Sequence, residues 1–210
     1  MIIDCISDLH GYSPKLQGGD LLLIAGDLTA RDEPSQFETF KTWLKSLDYT
    51  KKIIIGGNHD NFLQHLENPQ DYFEDATYLC DSQTTFQGLK IWGSPWTKNF
   101  FGQNPLCKAF GFDFETQMIE KFELIPNDID ILITHSPPEG ILDQTSRSTR
   151  VGSPSLKSKV LKMPKLKLHL FGHIHEGYGT EIGPSRLQFI NASHVNEYYE
   201  PINSPVRIIL

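Results

Sequence analysis

Aspartate, asparagine and histidine side chains that could bind metal ions recur along the sequence in short contexts. Asp8 and His10 stand two residues apart, and Asp27 directly follows a glycine. Any one such context is common by chance, since a lone Asp-x-His or a histidine at a strand end is usually structural. Their occurrence together, each after an apolar run, favours a shared site. The candidate metal ligands are Asp8, His10, Asp27, Asn58, His135, His173 and His175.

This set of donor groups favours particular ions. Oxygen and imidazole ligands without a thiolate suit manganese, iron or zinc. A carboxylate such as that of Asp27 can bridge two cations, and pairs of ions about 3.5–4 Å apart are common in phosphoester hydrolases. Side chains two residues apart on a strand point to the same side, so we expect Asp8 to lie beside His10. The same spacing places His173 beside His175.

Short apolar runs precede these candidate ligands. Unbroken runs of this length are typical of strands buried on both faces, as in layered α/β proteins. The sequence therefore predicts strands that end next to the candidate ligands. The five runs are Ile2–Ile6, Leu21–Ala25, Ile53–Ile55, Ile129–Thr134 and Leu166–Phe171.

Other segments predict helices and connections. An apolar stripe indicates a helix over Glu33–Leu47, and shorter helices are expected over Phe114–Phe122 and Ser153–Leu161, the last with Ser153 as its N-cap. Thr84–Trp92 is typical of a hairpin that turns at Gly88. Ser94–Gly111 is expected to form a long loop. A single domain over residues 1–210 is the simplest interpretation.

Composition excludes several classes of protein. The chain has 210 residues and a net charge of −7, which argues against a broad cationic surface for duplex nucleic acid. No run approaches the roughly 20 apolar residues that span a bilayer, and the first residues lack the pattern of a signal peptide. Three well-separated cysteines give no disulfide framework. We therefore expect a cytoplasmic protein without a membrane partner.

The ordered motifs resemble those of the calcineurin-like metallophosphoesterases. The resemblance implies a four-layer α/β/β/α sandwich of two mixed sheets flanked by helices. It also implies two bound divalent transition-metal ions, Mn²⁺, Fe²⁺/Fe³⁺ or Zn²⁺, with Asp27 as the bridge between them. One ion would be held by Asp8, His10, Asp27 and His175. The other would be held by Asp27, Asn58, His135 and His173.

The same resemblance implies roles for two further residues. His59 would face the phosphate rather than bind a metal ion, and would supply positive charge or a proton to the leaving oxygen. Asn58 would also lie against the substrate. Asp60 would stand behind His59 and hold its imidazole in place. The alternative for Asp60 is the N-cap of a helix that starts near Asn61, and both roles could coexist.

A narrower resemblance concerns the branch that contains the animal metallophosphoesterase-domain proteins and their microbial relatives. It is carried by Trp92–Trp96, Thr134–Pro138, Phe171–Gly179 and Phe189–Ser193. That branch is associated with phosphodiesterase activity on cyclic nucleotides. The chain departs from it at Ser153, where a cysteine is common.

The sequence thus predicts a metal-dependent phosphoric ester hydrolase. The expected reaction is hydrolysis of small nucleotide-like diesters, such as 2′,3′-cyclic nucleotides, by a hydroxide generated on the two ions. The alternatives are a phosphomonoesterase or nuclease on the same metal centre, and a non-catalytic nucleotide-binding scaffold. Buried carboxylates and histidines without metal would destabilise such a scaffold.

Two segments are candidates for substrate binding. Residues 144–167 carry seven basic side chains and no acidic one, and within them Arg147 and Arg150 are expected to contact the phosphate. A solvated helix with a lysine-rich face is the alternative. Residues 96–112 are rich in aromatic rings that could stack on a base or form a satellite cluster. These rings belong to Trp96, Phe100, Phe101, Phe110 and Phe112. The histidines outside the motifs, His65, His169 and His194, are expected to be structural.

Overall fold

The structure of the protein is a computed structural model that describes residues 1–100 and 102–210. The predicted strands and helices all form, with bounds that shift by a few residues. In chain order the elements are β1 (Ile2–Ile6), β2 (Gly19–Ala25), α1 (Pro34–Ser46), β3 (Tyr49–Ile55), α2 (Asn61–His65), α3 (Pro69–Tyr72), β4 (Thr77–Tyr78), β5 (Ser82–Phe86), β6 (Leu89–Ser94), β7 (Thr97–Lys98), β8 (Gly111–Phe112), α4 (Glu115–Glu123), β9 (Ile131–Thr134), α5 (Pro154–Val160), β10 (Leu168–Phe171), β11 (Gly179–Ile182), β12 (Gln188–Asn191) and β13 (Val206–Ile209).

The strands form two large mixed sheets. The first has the order β13-β1-β2-β3-β4 and the second the order β11-β12-β10-β9-β6-β5. Strands β1 to β4 run parallel to one another, while β13 pairs antiparallel with β1. In the second sheet β6, β9, β10 and β12 are parallel, and the two edge strands are antiparallel. The carboxyl ends of the parallel strands therefore meet at one edge of each sheet.

Alternation along the strands explains why the apolar runs are unbroken. In β2, Leu21 and Leu23 pack into a core between the two sheets, where they meet Ile133 and Leu170 of the second sheet. Leu22 of the same strand points the other way, into a core under α1. Because both faces are covered here, every position from Leu21 to Ala25 is apolar.

Helices cover the outer face of each sheet. Phe37, Phe40 and Trp43 form the buried stripe of α1 on the first sheet. Met118 of α4 and Leu156 of α5 pack on the second sheet. The layers are thus α/β/β/α, as the resemblance implied. Among the described residues, no helix is both long and apolar enough to cross a membrane.

Two of the smaller predictions can be compared directly. The Ser153 Oγ accepts a hydrogen bond from the backbone N–H of Leu156 at 3.2 Å, so Ser153 is the N-cap of α5 as expected. The predicted loop over Ser94–Gly111 is interrupted at its ends by the short pair β7–β8, which aligns Thr97 with Gly111.

Candidate metal centre

All seven candidate ligands converge at the carboxyl ends of five parallel strands. Asp8, Asp27 and Asn58 follow strands β1, β2 and β3 of the first sheet. His135 follows β9 of the second sheet, and His173 and His175 follow β10. At this edge a single parallel β-bridge, between Ser7 and Ser193, joins the two sheets. The candidate metal centre therefore lies on the seam between the sheets.

The first group of ligand atoms gathers around two imidazoles. The Nε2 atoms of His10 and His175 are 3.3 Å apart. His175 Nε2 lies 3.5 Å from Asp8 Oδ1, and His10 Nε2 lies 3.6 Å from Asp27 Oδ2. These four residues are the set expected for one ion.

The second group gathers around the other oxygen of Asp27. His135 Nε2 lies 3.3 Å from Asp27 Oδ1 and 3.0 Å from Asn58 Oδ1. His173 Nδ1 lies 2.8 Å from the same Asn58 oxygen. Asp27 thus turns one carboxylate oxygen toward each group, which is the arrangement a bridging ligand requires.

The spacing of Asp8 and His10 predicted that both lie on a strand, but the structure places them in turns. β1 ends at Ile6, so Asp8 and His10 do not lie on a strand. Both adopt left-handed backbone conformations, with φ of 51° and 44°, and so do Asp27 at 51° and His173 at 69°. Such φ values are uncommon outside glycine and concentrate at functional sites. The side chains meet because of these tight turns rather than by strand alternation.

Hydrogen bonds fix which atoms face the centre. His135 Nδ1 is 2.7 Å from the Ala25 carbonyl oxygen, to which it donates its proton, so Nε2 is the ring nitrogen that faces the centre. Asn58 Nδ2 donates to the Cys107 carbonyl oxygen at 3.2 Å, which turns Asn58 Oδ1 inward as well. Lone pairs that face lone pairs repel unless positive charge lies between them. The donor set therefore fits divalent cations.

Burial and charge tune the same groups. Burial lowers the pKa of His10 and of His173 to about 3, which keeps both imidazoles in the neutral, metal-binding form at pH 7. Burial also disfavours ionised Asp27, but the charges of His135 and His59 hold the pKa of this carboxyl well below its ordinary value. Burial lowers the pKa of His135, but the Asp27 charge and hydrogen bond raise it to about 9. The centre thus attracts positive charge.

His59 lies at the edge of the first group, where one of its ring nitrogens is within 4.8 Å of donor atoms of His10 and Asp27, although the resemblance gives it no metal ion. Its backbone N–H donates to Asp27 Oδ1 at 2.8 Å, and its ring centroid is 4.6 Å from that of His10. Its Nδ1 is 3.1 Å from the Ala30 carbonyl oxygen, which accepts the ring proton. Nε2 is then the atom available for exchange of a proton.

Asp60 does not occupy the place predicted for it. Its buried carboxylate accepts hydrogen bonds from the backbone N–H groups of Leu28, Thr29 and Gly57 at 2.9–3.2 Å, and none of its hydrogen bonds among the described residues goes to His59. It stands at the N-cap position of α2 without a capping side-chain bond. The imidazole is held by Ala30 instead. Asp60 fastens the turn after β2 to the turn after β3, because each turn supplies backbone donors to the same carboxylate.

Two glycines of the motifs leave room for the carboxylates. A Cβ at Gly57 would lie 2.3 Å from Asp27 Oδ1, and a Cβ at Gly172 would lie 2.1 Å from Asp8 Oδ2. Both distances are far below van der Waals contact. These positions require glycine because a carboxylate of a candidate ligand occupies the space that a side chain would take.

Comparison with known proteins agrees with this geometry. The sequence model described as calcineurin-like phosphoesterase matches residues 1–177, which include every candidate ligand. The chain belongs to the calcineurin-like phosphoesterase family. It is therefore a phosphoric ester hydrolase by family, and its donor set is suited to metal ions.

Individual relatives cover most of the chain. Metallophosphoesterase domain-containing protein 1 of Homo sapiens is 37% identical over 233 residues, which cover 98% of this chain and 70% of that protein. A 3′,5′-cyclic-nucleotide phosphodiesterase of Nostoc is 26% identical over 174 residues, which cover 81% of this chain and 60% of that protein. A solved crystal structure matches the fold with a TM-score of 0.61 at 15% identity, covering 99% of this chain and 98% of that one.

Arg147 and Arg150, which were predicted to contact the phosphate, lie outside the candidate metal groups of this phosphoesterase. Arg150 Nη1 forms an ion pair with the buried Asp143 at 2.9 Å. Arg147 is exposed on the same loop, which is fastened near the centre because Glu176 accepts a hydrogen bond from the Ser146 backbone. Neither guanidinium joins the candidate metal groups among the described residues. Arg150 is better explained as a structural partner of Asp143.

The aromatic rings of residues 96–112 mostly form a packed cluster. Trp96 stacks on Phe112 with ring centroids 4.8 Å apart, meets the buried Phe110 edge to face, and donates its indole N–H to Asp81. Phe100 is exposed. Phe101 lies outside the described residues. Stacking on a base by these rings, one of the two predicted roles, is therefore disfavoured for Trp96, Phe110 and Phe112.

The lysine-rich helix and the remaining histidines also have structural explanations. α5 buries Leu156 and Val160, while its lysines stay at the surface or partly exposed. His169 is buried with Nε2 2.8 Å from Thr134 Oγ1, and His194 Nδ1 donates to the Asn203 carbonyl oxygen. His169 and His194 thus have structural hydrogen bonds, whereas His65 is exposed on α2.

Sequence reasoning missed several residues that support the centre. Ser193 Oγ donates to Asp8 Oδ2 at 2.7 Å, and the Asn196 carbonyl oxygen accepts the Nδ1 proton of His175 at 3.0 Å. Cys107 Sγ lies 3.5 Å from His59 Nδ1. Ser193 ends the Phe189–Ser193 motif and was within reach of motif reasoning. Asn196 and Cys107 lie in loops whose course no local pattern indicates.

Proposed function

We propose that the protein is a dinuclear-metal-dependent phosphodiesterase that hydrolyses small nucleotide-like esters, 2′,3′-cyclic nucleotides among them. The observation that carries this proposal is the carboxylate of Asp27, whose two oxygens face two separate groups of ligand atoms. A single-metal site would not need that division.

Each group offers four protein ligands of suitable chemistry. Asp8, His10, Asp27 and His175 would hold one divalent ion, and Asp27, Asn58, His135 and His173 the other. When bound, such ions act as Lewis acids toward phosphoryl oxygens and lower the pKa of water. The chain's own contribution is to keep these donors oriented, since His135 is fixed by the Ala25 carbonyl and Asn58 by that of Cys107.

His59 is the group that would handle a proton. Its Nδ1 donates to Ala30, so the cationic ring carries its transferable proton on Nε2. A diester expels an alkoxide, which needs a proton, and a positioned imidazole supplies it. The cationic ring also opposes charge on the phosphoryl oxygens. Asp60 supports this role from a distance by holding the turns that carry Asp27 and His59.

Relatives support the choice of diesters. The Nostoc protein is named as a 3′,5′-cyclic-nucleotide phosphodiesterase, and a protein of Ruthia magnifica is named as a probable cyclic nucleotide phosphodiesterase. A five-membered 2′,3′-cyclic ester is also strained, so its hydrolysis has a lower activation free energy and needs less transition-state stabilisation from the protein.

A matched substrate panel tests the proposal. Protein is reconstituted separately with Mn²⁺, Fe²⁺ and Zn²⁺. Its kcat/KM is measured on two kinds of diester, 2′,3′-cyclic and 3′,5′-cyclic nucleotides, and on noncyclic nucleoside monophosphates. We expect diesters to be preferred. If a monophosphate exceeds every diester by about tenfold, or 1.4 kcal/mol, the protein is a phosphatase. If the metal-loaded protein binds nucleotide without hydrolysing any ester, it is a scaffold.

A further inference from the structure

The connection between β12 and β13 passes over the metal centre. We refer to its residues 194–203 as the C-terminal loop. The backbone N–H of His194 donates to the Ser7 carbonyl oxygen at 2.8 Å, and the carbonyl oxygen of Asn196 accepts the His175 ring proton at 3.0 Å. The loop is thus attached directly to the turns that carry the metal ligands, although it lies beyond the residues that the family model matches.

One side chain of this loop, Tyr199, faces the histidines of the site. Its ring centroid is 4.8 Å from that of His10, 5.3 Å from that of His175 and 6.2 Å from that of His59. The ring meets His10 and His175 at steep angles of 76° and 87°. Tyr199 is nevertheless 48% exposed. The ring therefore borders the centre on one side and remains open to a ligand on the other.

Tyr199 has a backbone conformation that tyrosine disfavours, and hydrogen bonds hold it there. Its φ is +62°, a left-handed value that is uncommon for an aromatic residue. The Tyr199 N–H donates to the Asn196 carbonyl oxygen, and the next N–H donates to Asn196 Oδ1, both at 2.9 Å. Tyr12 donates its hydroxyl proton to the Tyr199 carbonyl oxygen at 3.2 Å. A strained residue held by several bonds at a site is a candidate for a role in function.

We propose that Tyr199 is a specificity-determining residue whose ring packs against the base of a nucleotide-like ester. The inference rests on the proposed function, because it assigns the organic part of that substrate. A planar ring beside the phosphate-handling groups offers a stacking surface, and stacking on a base contributes about 1–3 kcal/mol. The aromatic cluster around Trp96 is not free for this role, since its rings pack on one another.

Binding to the Mn²⁺-loaded protein, measured by calorimetry, tests the inference without turnover. The probes are adenosine 5′-monophosphate and inorganic phosphate, which share the phosphate and differ by the nucleoside. We expect Tyr199→Ala to raise the Kd for the nucleotide about tenfold, at the lower end of the stacking range, and to change that for phosphate less than twofold. Tyr199→Phe keeps the ring and should bind both as the unchanged protein does.

Tyr198 provides the matched control. It is the neighbouring tyrosine of the same loop, 74% exposed, and Tyr198→Ala should leave both Kd values unchanged. The inference is overturned if Tyr199→Ala weakens both probes equally, if Tyr199→Phe is as weak as Tyr199→Ala, or if the unchanged protein binds the nucleotide no more tightly than phosphate.

A kinetic pair separates this inference from the proposed function. Adenosine 2′,3′-cyclic phosphate and methyl riboside 2′,3′-cyclic phosphate carry the same reacting ring, with and without a base. Tyr199→Ala should raise KM for the adenosine ester about tenfold. It should change KM for the base-free ester less than about twofold. If the unchanged protein hydrolyses neither ester, the proposed function fails while the calorimetry still decides the role of Tyr199. If Tyr199→Ala raises KM equally for both esters, the role of Tyr199 is overturned while the proposed function stands.

Discussion

Asp27 is the residue on which the centre depends most directly. Its carboxylate touches both groups of ligand atoms and also accepts the backbone N–H of His59. A change at this residue should therefore affect both metal positions and the proton donor.

Asp27→Asn should weaken both metal sites at once. The amide keeps the shape but loses the negative charge, and one of its two positions becomes a donor that repels a cation. We expect less than one ion bound per chain, and a loss of several kcal/mol of transition-state stabilisation. Elemental analysis after gel filtration measures the first effect and kcat/KM the second. Retention of two ions would contradict the bridging assignment.

His59→Ala should separate metal binding from catalysis. Because each ion has four other proposed ligands, loss of His59 should leave the metal content unchanged. Loss of a general acid lowers kcat by about 10²–10⁴-fold. His65→Ala, at an exposed histidine of the adjacent helix α2, is the control and should match the unchanged protein. A drop in metal content in His59→Ala would show that the residue is a ligand after all.

At the scale of elements, the centre is built from turns that follow strands. Left-handed residues at Asp8, His10, Asp27 and His173 redirect the chain immediately after β1, β2 and β10. Gly172 lets the turn after β10 approach Asp8. Ser193 and the His173 N–H then both donate to the Asp8 carboxylate. The position of this carboxylate is fixed by two other elements of the chain.

Gly172→Ala should damage the first metal group with little effect on the fold elsewhere. The added methyl would lie 2.1 Å from both Asp8 Oδ2 and Ser7 Oγ, so the Asp8 carboxylate must move. We expect loss of about one ion per chain, measured by elemental analysis. Gly88→Ala is the control, because its φ of +83° adds strain of about 1 kcal/mol in open space far from any ligand. Equal metal content in both variants would contradict this explanation.

Strand positions, and the convergence of the candidate ligands at the strand ends, were predictable from the sequence, because unbroken apolar runs indicate strands buried on both faces and the candidate residues follow those runs. The reason given for pairing Asp8 with His10 was wrong, since alternation applies only while the strand continues and β1 ends at Ile6. The partners of Asp60 were not predictable either. Its donors at Leu28 and Thr29 come from another turn, and no local pattern records such a bond.

At the scale of the whole molecule, each metal group joins the two sheets. The first group takes Asp8, His10 and Asp27 from the first sheet and His175 from the second. The second group adds Asn58 from the first sheet, with His135 and His173 from the second. A cation in either group would therefore cross-link the layers at the edge where their core ends.

Removal of metal should destabilise the fold, since ions that bind only the folded state stabilise it in proportion to their concentration. With free Mn²⁺ about 1,000-fold above Kd, one site contributes about 4 kcal/mol, which corresponds to a Tm difference of about 10 °C for a chain of this size. The measurement is thermal unfolding by circular dichroism at pH 7.5, with Mn²⁺ and with excess chelator. Asp27→Asn is the matched control, because it should unfold near the same temperature under both conditions. A chelator effect that is equally large in Asp27→Asn would mean that the stabilising ions bind elsewhere, and the assignment of the seam between the sheets as the metal centre would then be wrong.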